Sequence, residues 1–401
     1  MPNTLLTPTA VTRKALQILH QRLNFVGNIN RTYDDSFANS GAKIGDSLKI
    51  RLPNEYTVRT GANLSTQDTS ESSTTLQIAT QKGVDITFSS AELTLSLDDF
   101  SARILEPAMA VLAANIEADA LSMYKDVYNI VDNDTAAISF LNIMQGRKLL
   151  NDSLAPMDSN RYALLSTDHT AKLVDSLKGL FQDSNAIKQQ YREGMMGRTG
   201  GFDFYENTLL ANHATGTAAK TTTYSVNGAV TTNGSTAVTV ASAGSTTFKA
   251  GDVFTVAGCF RVHPETKVST GVLQQFVVTA DYAGGAGSLA FAPAIYTSGG
   301  RQNVVAAGMA NSSAIVKVGA GASEQLTPSM VFHRDAFAFA TADLVMPKGV
   351  DFAAREVYDG ISLRTVRQYA ISTDTMPCRI DVLYGYKTIR AQLAARIHAD
   401  G

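Results

Sequence analysis

Residues 98–127 read DDFSARILEPAMAVLAANIEADALSMYKDV. Phe100, Ile104, Ala108, Leu112, Ile116 and Ala120 recur every four positions, joined by Leu105, Met109, Met123 and Val127. Apolar residues at that spacing share one face of an α-helix. Asp98 and Asp99 open the run, where the helix dipole favours negative charge. The pattern predicts a long spine helix within 98–131, against which sheets can pack. Pro107 lies inside it and is expected to bend it or to mark a junction between two helices, because proline removes an amide donor and clashes with the preceding turn. Glu117 and Asp119 stand two apart, cannot share a face and are expected to be solvated. A shorter helix should follow near residues 140–150.

Upstream, Val11, Ala15, Leu19 and Leu23 recur four apart, with Leu16 and Ile18 beside them. This predicts a helix of about three turns with one apolar stripe. Such a helix is too short to stand alone in water and must dock. Its own domain and a neighbouring subunit both satisfy that need, so residues 1–40 are read as an N-terminal arm. In 41–97, Leu48, Ile50 and Leu52 alternate with Lys49 and Arg51, and Val84, Ile86 and Phe88 form a second alternating run. A period of two predicts strands. The polar stretch Thr57–Thr75 between them reads as the tip of an extended β-hairpin loop. Loops this long are functional or disordered, and exposed strand edges recruit partners. Subunit contact and a mobile surface loop are the two readings.

Downstream, the window 216–321 holds 15 of the 30 glycines but only 9 of the 70 charged residues. Short alternating runs such as Val238-Thr239-Val240, Phe254-Thr255-Val256 and Phe276-Val277-Val278 are separated by glycine pairs. Short strands with turn signals predict a small antiparallel sandwich or barrel. Its flanks return to mixed α/β composition, so it reads as a domain inserted into another. The chain closes with strands over 361–371 and 379–386, the turn between them supplied by Thr373, Asp374 and Pro377.

The 401 residues allow two or three domains, and 44% hydrophobic with 17% charged excludes wholesale disorder. A net charge of −2 lacks the basic excess of a dedicated nucleic-acid binder. Cys259 and Cys378 are far apart, neither a disulfide framework nor a Cys-x-x-Cys metal motif, and suggest a reducing compartment. Residues 1–10 lack a signal peptide's basic and apolar regions, so secretion is not expected. No stretch suits a membrane span.

The search for chemistry finds no site. Gly41-Ala42-Lys43-Ile44-Gly45-Asp46 has the wrong spacing for a phosphate loop and reads as a turn into the Leu48 strand. His333-Arg334-Asp335 lacks the asparagine a kinase catalytic loop needs, that position being Ala340. No two of His20, His169, His213, His263, His333 and His398 stand at ligand spacing. No catalytic residue, cofactor or metal is expected. An α/β enzyme without a recognisable motif, or a β-rich tail or surface protein, remain the rivals; the first lacks a site, the second does not explain the helix.

Residues 41–53, from Gly41 to Pro53, resemble the opening of the coat proteins of short-tailed Salmonella-type phages. Asp98 to Tyr128, with Glu106-Pro107 and Ala114-Asn115-Ile116-Glu117, is similar to their spine helix. Gly197-Arg198 with Gly201-Phe202-Asp203-Phe204 resembles the segment before their inserted domain. Lys249 to Gly258 resembles a strand pair within it, and Val331 to Phe337 the return from it. The matches run in order along nearly the whole chain.

The resemblance implies an α+β, Hong Kong-phage-like capsid fold with an inserted antiparallel β-barrel. Its segments would be the N-terminal arm 1–40, the extended loop and flanking strands 41–97, and the spine helix and peripheral domain 98–150. The axial domain 151–221, the barrel 222–326 and the axial and peripheral return 327–401 would follow. It implies a major capsid protein that forms pentamers and hexamers in an icosahedral shell. Its further partners would be an internal scaffolding protein, a portal protein and non-specifically confined double-stranded DNA, with no membrane. Val11, Arg13, Lys14, Ala15, Leu19, Arg59, Asp68 and Glu71 are the candidate subunit or scaffold contacts. The family's arm binds scaffolding protein in part through charge. Here the arm carries Arg13, Lys14 and Arg22, with Asp34 and Asp35 beyond the helix, so that contact is expected elsewhere or with altered polarity.

Overall fold

The spine forms as a helix, α3, over Glu106–Leu121, followed by a 3-10 turn over Ser122–Asp126. The structure is a computed structural model. It describes residues 8–32, 47–64, 66–67, 71–88, 104–177, 197–241, 244–319, 321–358, 361–372 and 375–400. The start of the expected run, 98–103, lies outside these. Pro107 follows directly on a π-helical turn at Ile104 and Leu105, so it stands where the helical geometry changes from π to α. Met109, Leu112, Ala113, Ile116 and Ala120 make its buried stripe.

The chain falls into two compact units. The first comprises the described residues of 1–51, 73–121 and 337–389. Here α1 (Pro8–Arg22) lays Ala15, Leu16, Ile18 and Leu19 against α3 and against the strands Phe352–Tyr358 and Ile361–Arg367. A short helix, α2 (Phe25–Asn28), follows. The main sheet orders Phe337–Ala342, Met376–Thr388, Ile361–Arg367 and Phe352–Tyr358, all antiparallel, with Thr80–Phe88 pairing along Met376–Thr388.

Two expectations change in this unit. The hairpin stem is Ser47–Arg51 paired with Ser73–Gln77, Ile50 opposite Thr74 and Leu48 opposite Leu76. The Val84–Phe88 run instead joins the main sheet, Val84 opposite Ile380. Leu76 and Ile50 bury into the same core as Ala340 and Leu383, which selects the stem register. Pro377 lies within a strand opposite Thr87 and is no turn residue; Thr373 and Asp374 fall outside the described residues.

The second unit comprises the described residues of 52–72, 122–336 and 390–401. A six-stranded sheet orders Ile130–Ala137, Ala394–Asp400, Ser329–His333, Arg161–Leu165, Phe202–Glu206 and Arg198–Thr199. The first pair and the Arg161–Leu165/Phe202–Glu206 pair are parallel. Helix α4 (Phe140–Asp152) packs on this sheet. Ser139 and Asn142 close its N-terminus reciprocally, which satisfies two amides that would otherwise be orphaned. Helix α5 spans Thr167–Leu177.

Between the sheet's Phe202–Glu206 and Ser329–His333 strands the chain forms a closed antiparallel barrel. Its order is Ser235–Ala241, Gly287–Ile295, Ser269–Val278, Val253–Val262, Ala314–Lys317 and Tyr224–Val226. Alternation turns Val238, Val240, Phe254, Val256, Phe276 and Val278 inward. Phe254, Phe276 and Phe291 meet at centroid distances of 5.7, 6.1 and 5.1 Å. Closure leaves no free edge among the six strands, which suits a segment so poor in charge.

Candidate assembly surface

In the described part of the 52–72 loop, polar side chains bond back to the backbone and help set its shape. Leu52 N–H donates to Ser72 O at 2.8 Å, extending the stem ladder. The Gln67 amide grips Thr57 from both sides, accepting from Thr57 N at 2.8 Å and donating to Thr57 O at 2.5 Å. Arg59 folds onto the carbonyls of Gly61 and Asn63. These bonds lower the entropy lost when a partner immobilises the loop. On this frame Val58 is 91% exposed, Leu64 84% and Tyr56 55%. Single exposed apolar residues are ordinary; three on one short, internally bonded segment offer an apolar surface for association.

The sequence candidates divide between the units. On α1, Ala15 and Leu19 are fully buried and Val11 partly so, within the first unit itself. Their stripe is already covered by α3 and the sheet. Arg13 faces outward and pairs with Glu356 at 3.3 Å, while Lys14 is half-buried. Arg59 and Glu71 are exposed on the loop of the second unit, and Asp68 lies outside the described residues.

Glu117 is not solvated, and Asp119 is only partly exposed. Glu117 is buried on α3 and accepts the amides of Phe25 and Val26, at 3.2 Å for the latter. The carboxylate thereby satisfies donors in the first turn of α2, and those donors stabilise its charge away from water. Asp119 accepts from the Tyr384 hydroxyl at 2.5 Å and pairs with Lys82 at 2.7 Å. Spacing within one helix does not disclose partners so far along the chain.

A buried polar cluster in the second unit was equally hidden. Tyr124 Oη lies 3.1 Å from His213 Nδ1, and His213 Nε2 lies 3.0 Å from Asp252 Oδ1. Asp252 Oδ2 accepts the amides of Gly216 and Lys249. Burial would raise the Asp252 carboxyl's pKa, but the His213 bond and the two amides outweigh it and hold the group below the ordinary range. Gly251 has φ +102°, and a Cβ there would stand 2.8 Å from His213 Cε1, so only glycine fits. Arg396, fully buried, donates to Gly251 O at 2.8 Å and lies over the Tyr124 ring; burial lowers its pKa to about 10. Burial first, and the Arg396 charge second, push His398 well below the usual imidazole range.

The cluster resembles a catalytic relay only in its residue types. Tyr124, His213 and Asp252 are buried, and their bonds close on the protein's own backbone and side chains. Among the described residues no group of three or more His, Cys, Asp or Glu is placed to hold a metal. A cleft of about 490 Å³ in the first unit is lined in part by Asp85, Arg364, Cys378 and Arg379. Its arginines are paired, Arg364 with Asp381 at 2.7 Å and Arg379 with Asp85 at 3.0 Å. Burial raises both thiols, Cys259 to about 12 and Cys378 to about 11.

The family model described as P22 coat protein, gene protein 5, matches residues 10–395. No curated protein matches the chain. Among solved structures, one titled Mycobacterium phage Che8 aligns at 12% identity over 94% of this chain and 90% of its own, with a TM-score of 0.47. The capsid of Ralstonia phage GP4 aligns at 9% identity over 90% and 85%, with a TM-score of 0.42. The cyanophage P-SCSP1u capsid aligns at 10% identity over 89% and 84%, with a TM-score of 0.43.

Proposed function

The chain belongs to the P22 coat protein family and is a major capsid protein of an icosahedral phage shell; from that premise we propose how its copies are joined. The 52–72 loop docks Tyr56, Val58 and Leu64 on a neighbouring copy of the same chain. The observation that carries this reading is their exposure on a loop whose own hydrogen bonds already hold its shape. Pentamers and hexamers repeat the contact, and interfaces between obligate partners commonly exceed about 2,000 Å² in total. The protein acts structurally and catalyses no reaction.

The same reading extends to partners. An internal scaffolding protein guides a procapsid, a portal protein occupies one opening, and the shell expands as double-stranded DNA is packaged. Expansion is a rigid-body and order–disorder switch. DNA is confined without sequence readout, which suits a net charge of −2. Assembly takes place in the host cytoplasm. Arg13 and Lys14 on α1, with Arg59, Asp68 and Glu71 of the loop segment, are proposed as the polar contacts around these interfaces, and residues 222–326 as the inserted domain.

Expression with and without a scaffolding protein, followed by negative-stain microscopy, tests the proposal. Closed shells or polyheads from the full-length chain, and discrete oligomers when residues 57–64 are replaced by a short glycine–serine linker, are expected. Normal shells from the replaced chain would refute the loop contact.

A further inference from the structure

We propose that the inserted barrel braces the 52–72 loop, with Gly300 as the seat on which the base of the loop rests. This rests on the reading of the loop as an assembly surface and adds what holds it in position. A Cβ built on Gly300 would lie 2.2 Å from Glu55 O, 2.8 Å from Glu55 C and 3.2 Å from Tyr56 N. All three are backbone atoms, so no side-chain rotation relieves the clash. Gly300 does not have a positive φ, so the need for glycine there is steric and not conformational. The loop's backbone and the barrel's 296–313 connection therefore touch directly, one residue before the exposed Tyr56.

The seat is itself fixed. Lys267, at the tip of the hairpin joining Val253–Val262 to Ser269–Val278, donates to Gly300 O and, at 3.4 Å, to Gln302 O. The hairpin tip holds Lys267 at φ +59°, with Lys267 N–H bonded to His263 O at 2.9 Å. Asn303 accepts from Tyr296 N at 2.9 Å and donates to Ala294 O at 2.8 Å, and Arg301 stacks 4.4 Å from the Tyr296 ring centroid. Two strand connections of the barrel thus converge on one glycine, and the loop backbone lies on it. The barrel sets where Glu55 sits, and the apolar residues that follow are presented from there.

Thermolysin cleaves before Val and Leu, so Val58 and Leu64 report loop mobility in the unassembled full-length subunit. Gly300→Ala and Gly300→Val should raise cleavage at these sites, by roughly threefold or more for the larger side chain. Lys267→Met, which adds no clash and removes the clamp, should act in the same direction more weakly. The melting temperature should stay near wild type, and scaffold-directed assembly should yield fewer closed shells. Wild-type cleavage rates in all three variants would overturn the brace, even if their shells were abnormal. A wild-type chain that never forms shells would sink the coat reading, while the cleavage rates would still decide the brace.

Discussion

Helix α1 and the 52–72 loop are both segments that the sequence marks for contact, and both carry apolar residues, yet they dispose of them in opposite ways. Ala15 and Leu19 of α1 are fully buried within their own unit, whereas Val58 and Leu64 of the loop are almost fully exposed. The difference lies in periodicity. A four-residue repeat collects its apolar side chains into one stripe that its own chain can cover. In the loop Tyr56, Val58 and Leu64 follow no helical or strand core, and polar side chains do the folding. Apolar character alone does not mark an interface; where it has a period, the chain's own fold can cover it.

That contrast can be broken by mutation. The largest effect on the subunit is expected from Leu19→Asp, which buries an unpaired charge in a packed site and should cost about 4 kcal/mol or more. Denaturant melts of the unassembled subunit measure it; a loss confined to assembly would mean that α1 serves a neighbour after all. Next, Glu117→Ala strands the Phe25 and Val26 amides and should cost about 2–4 kcal/mol. Amide exchange at those two residues should accelerate, and unchanged protection would show that the carboxylate is not their essential acceptor.

A third effect separates the second unit's interior from the loop that belongs to it. The His398 pKa is depressed in the fold, so its neutral state contributes stability that is complete above about pH 6.5, the unfolded value. That contribution falls as pH drops toward the folded value, with a slope of up to about 1.4 kcal/mol per unit. Asp252, also depressed, adds a further loss in the acid carboxylate range. His398→Leu should flatten the melting profile between pH 6.5 and the acid range; an unchanged slope would assign the sensitivity elsewhere. The smallest effect on the subunit is expected from Val58→Ser with Leu64→Ser, within about 0.5 kcal/mol of wild type. If that double variant both folds and assembles normally, the comparison between helix and loop fails.

Local patterns carried much of the architecture. The four-residue repeats of α1 and α3, the 140–150 helix and the barrel strands could all be read directly, because each buries a face at its own period. What stayed hidden depended on distant partners. Ser73–Gln77 sits in a Thr- and Ser-rich stretch, and only the core it shares with Ala340 and Leu383 shows it to be the hairpin stem. Glu117 and Asp119 look solvated until α2, Lys82 and Tyr384 fold back on them. Tyr124, His213, Asp252 and Arg396 are spread along the chain, and no spacing rule joins them. Gly300 is one glycine of a pair in a glycine-rich window, and nothing local distinguishes it from its neighbour.

The two buried thiols have a consequence for a protein that exists as many identical copies. With pKa values pushed to about 12 and 11, Cys259 and Cys378 carry thiolate fractions at neutral pH of roughly 10⁻⁵ and 10⁻⁴. Every copy repeats the same two sulfurs, so one reactive position would be multiplied across the whole shell once it met an oxidant. Protonated and buried, neither is poised to link one copy to the next. Alkylation of either thiol should therefore track unfolding of the subunit and not its assembly.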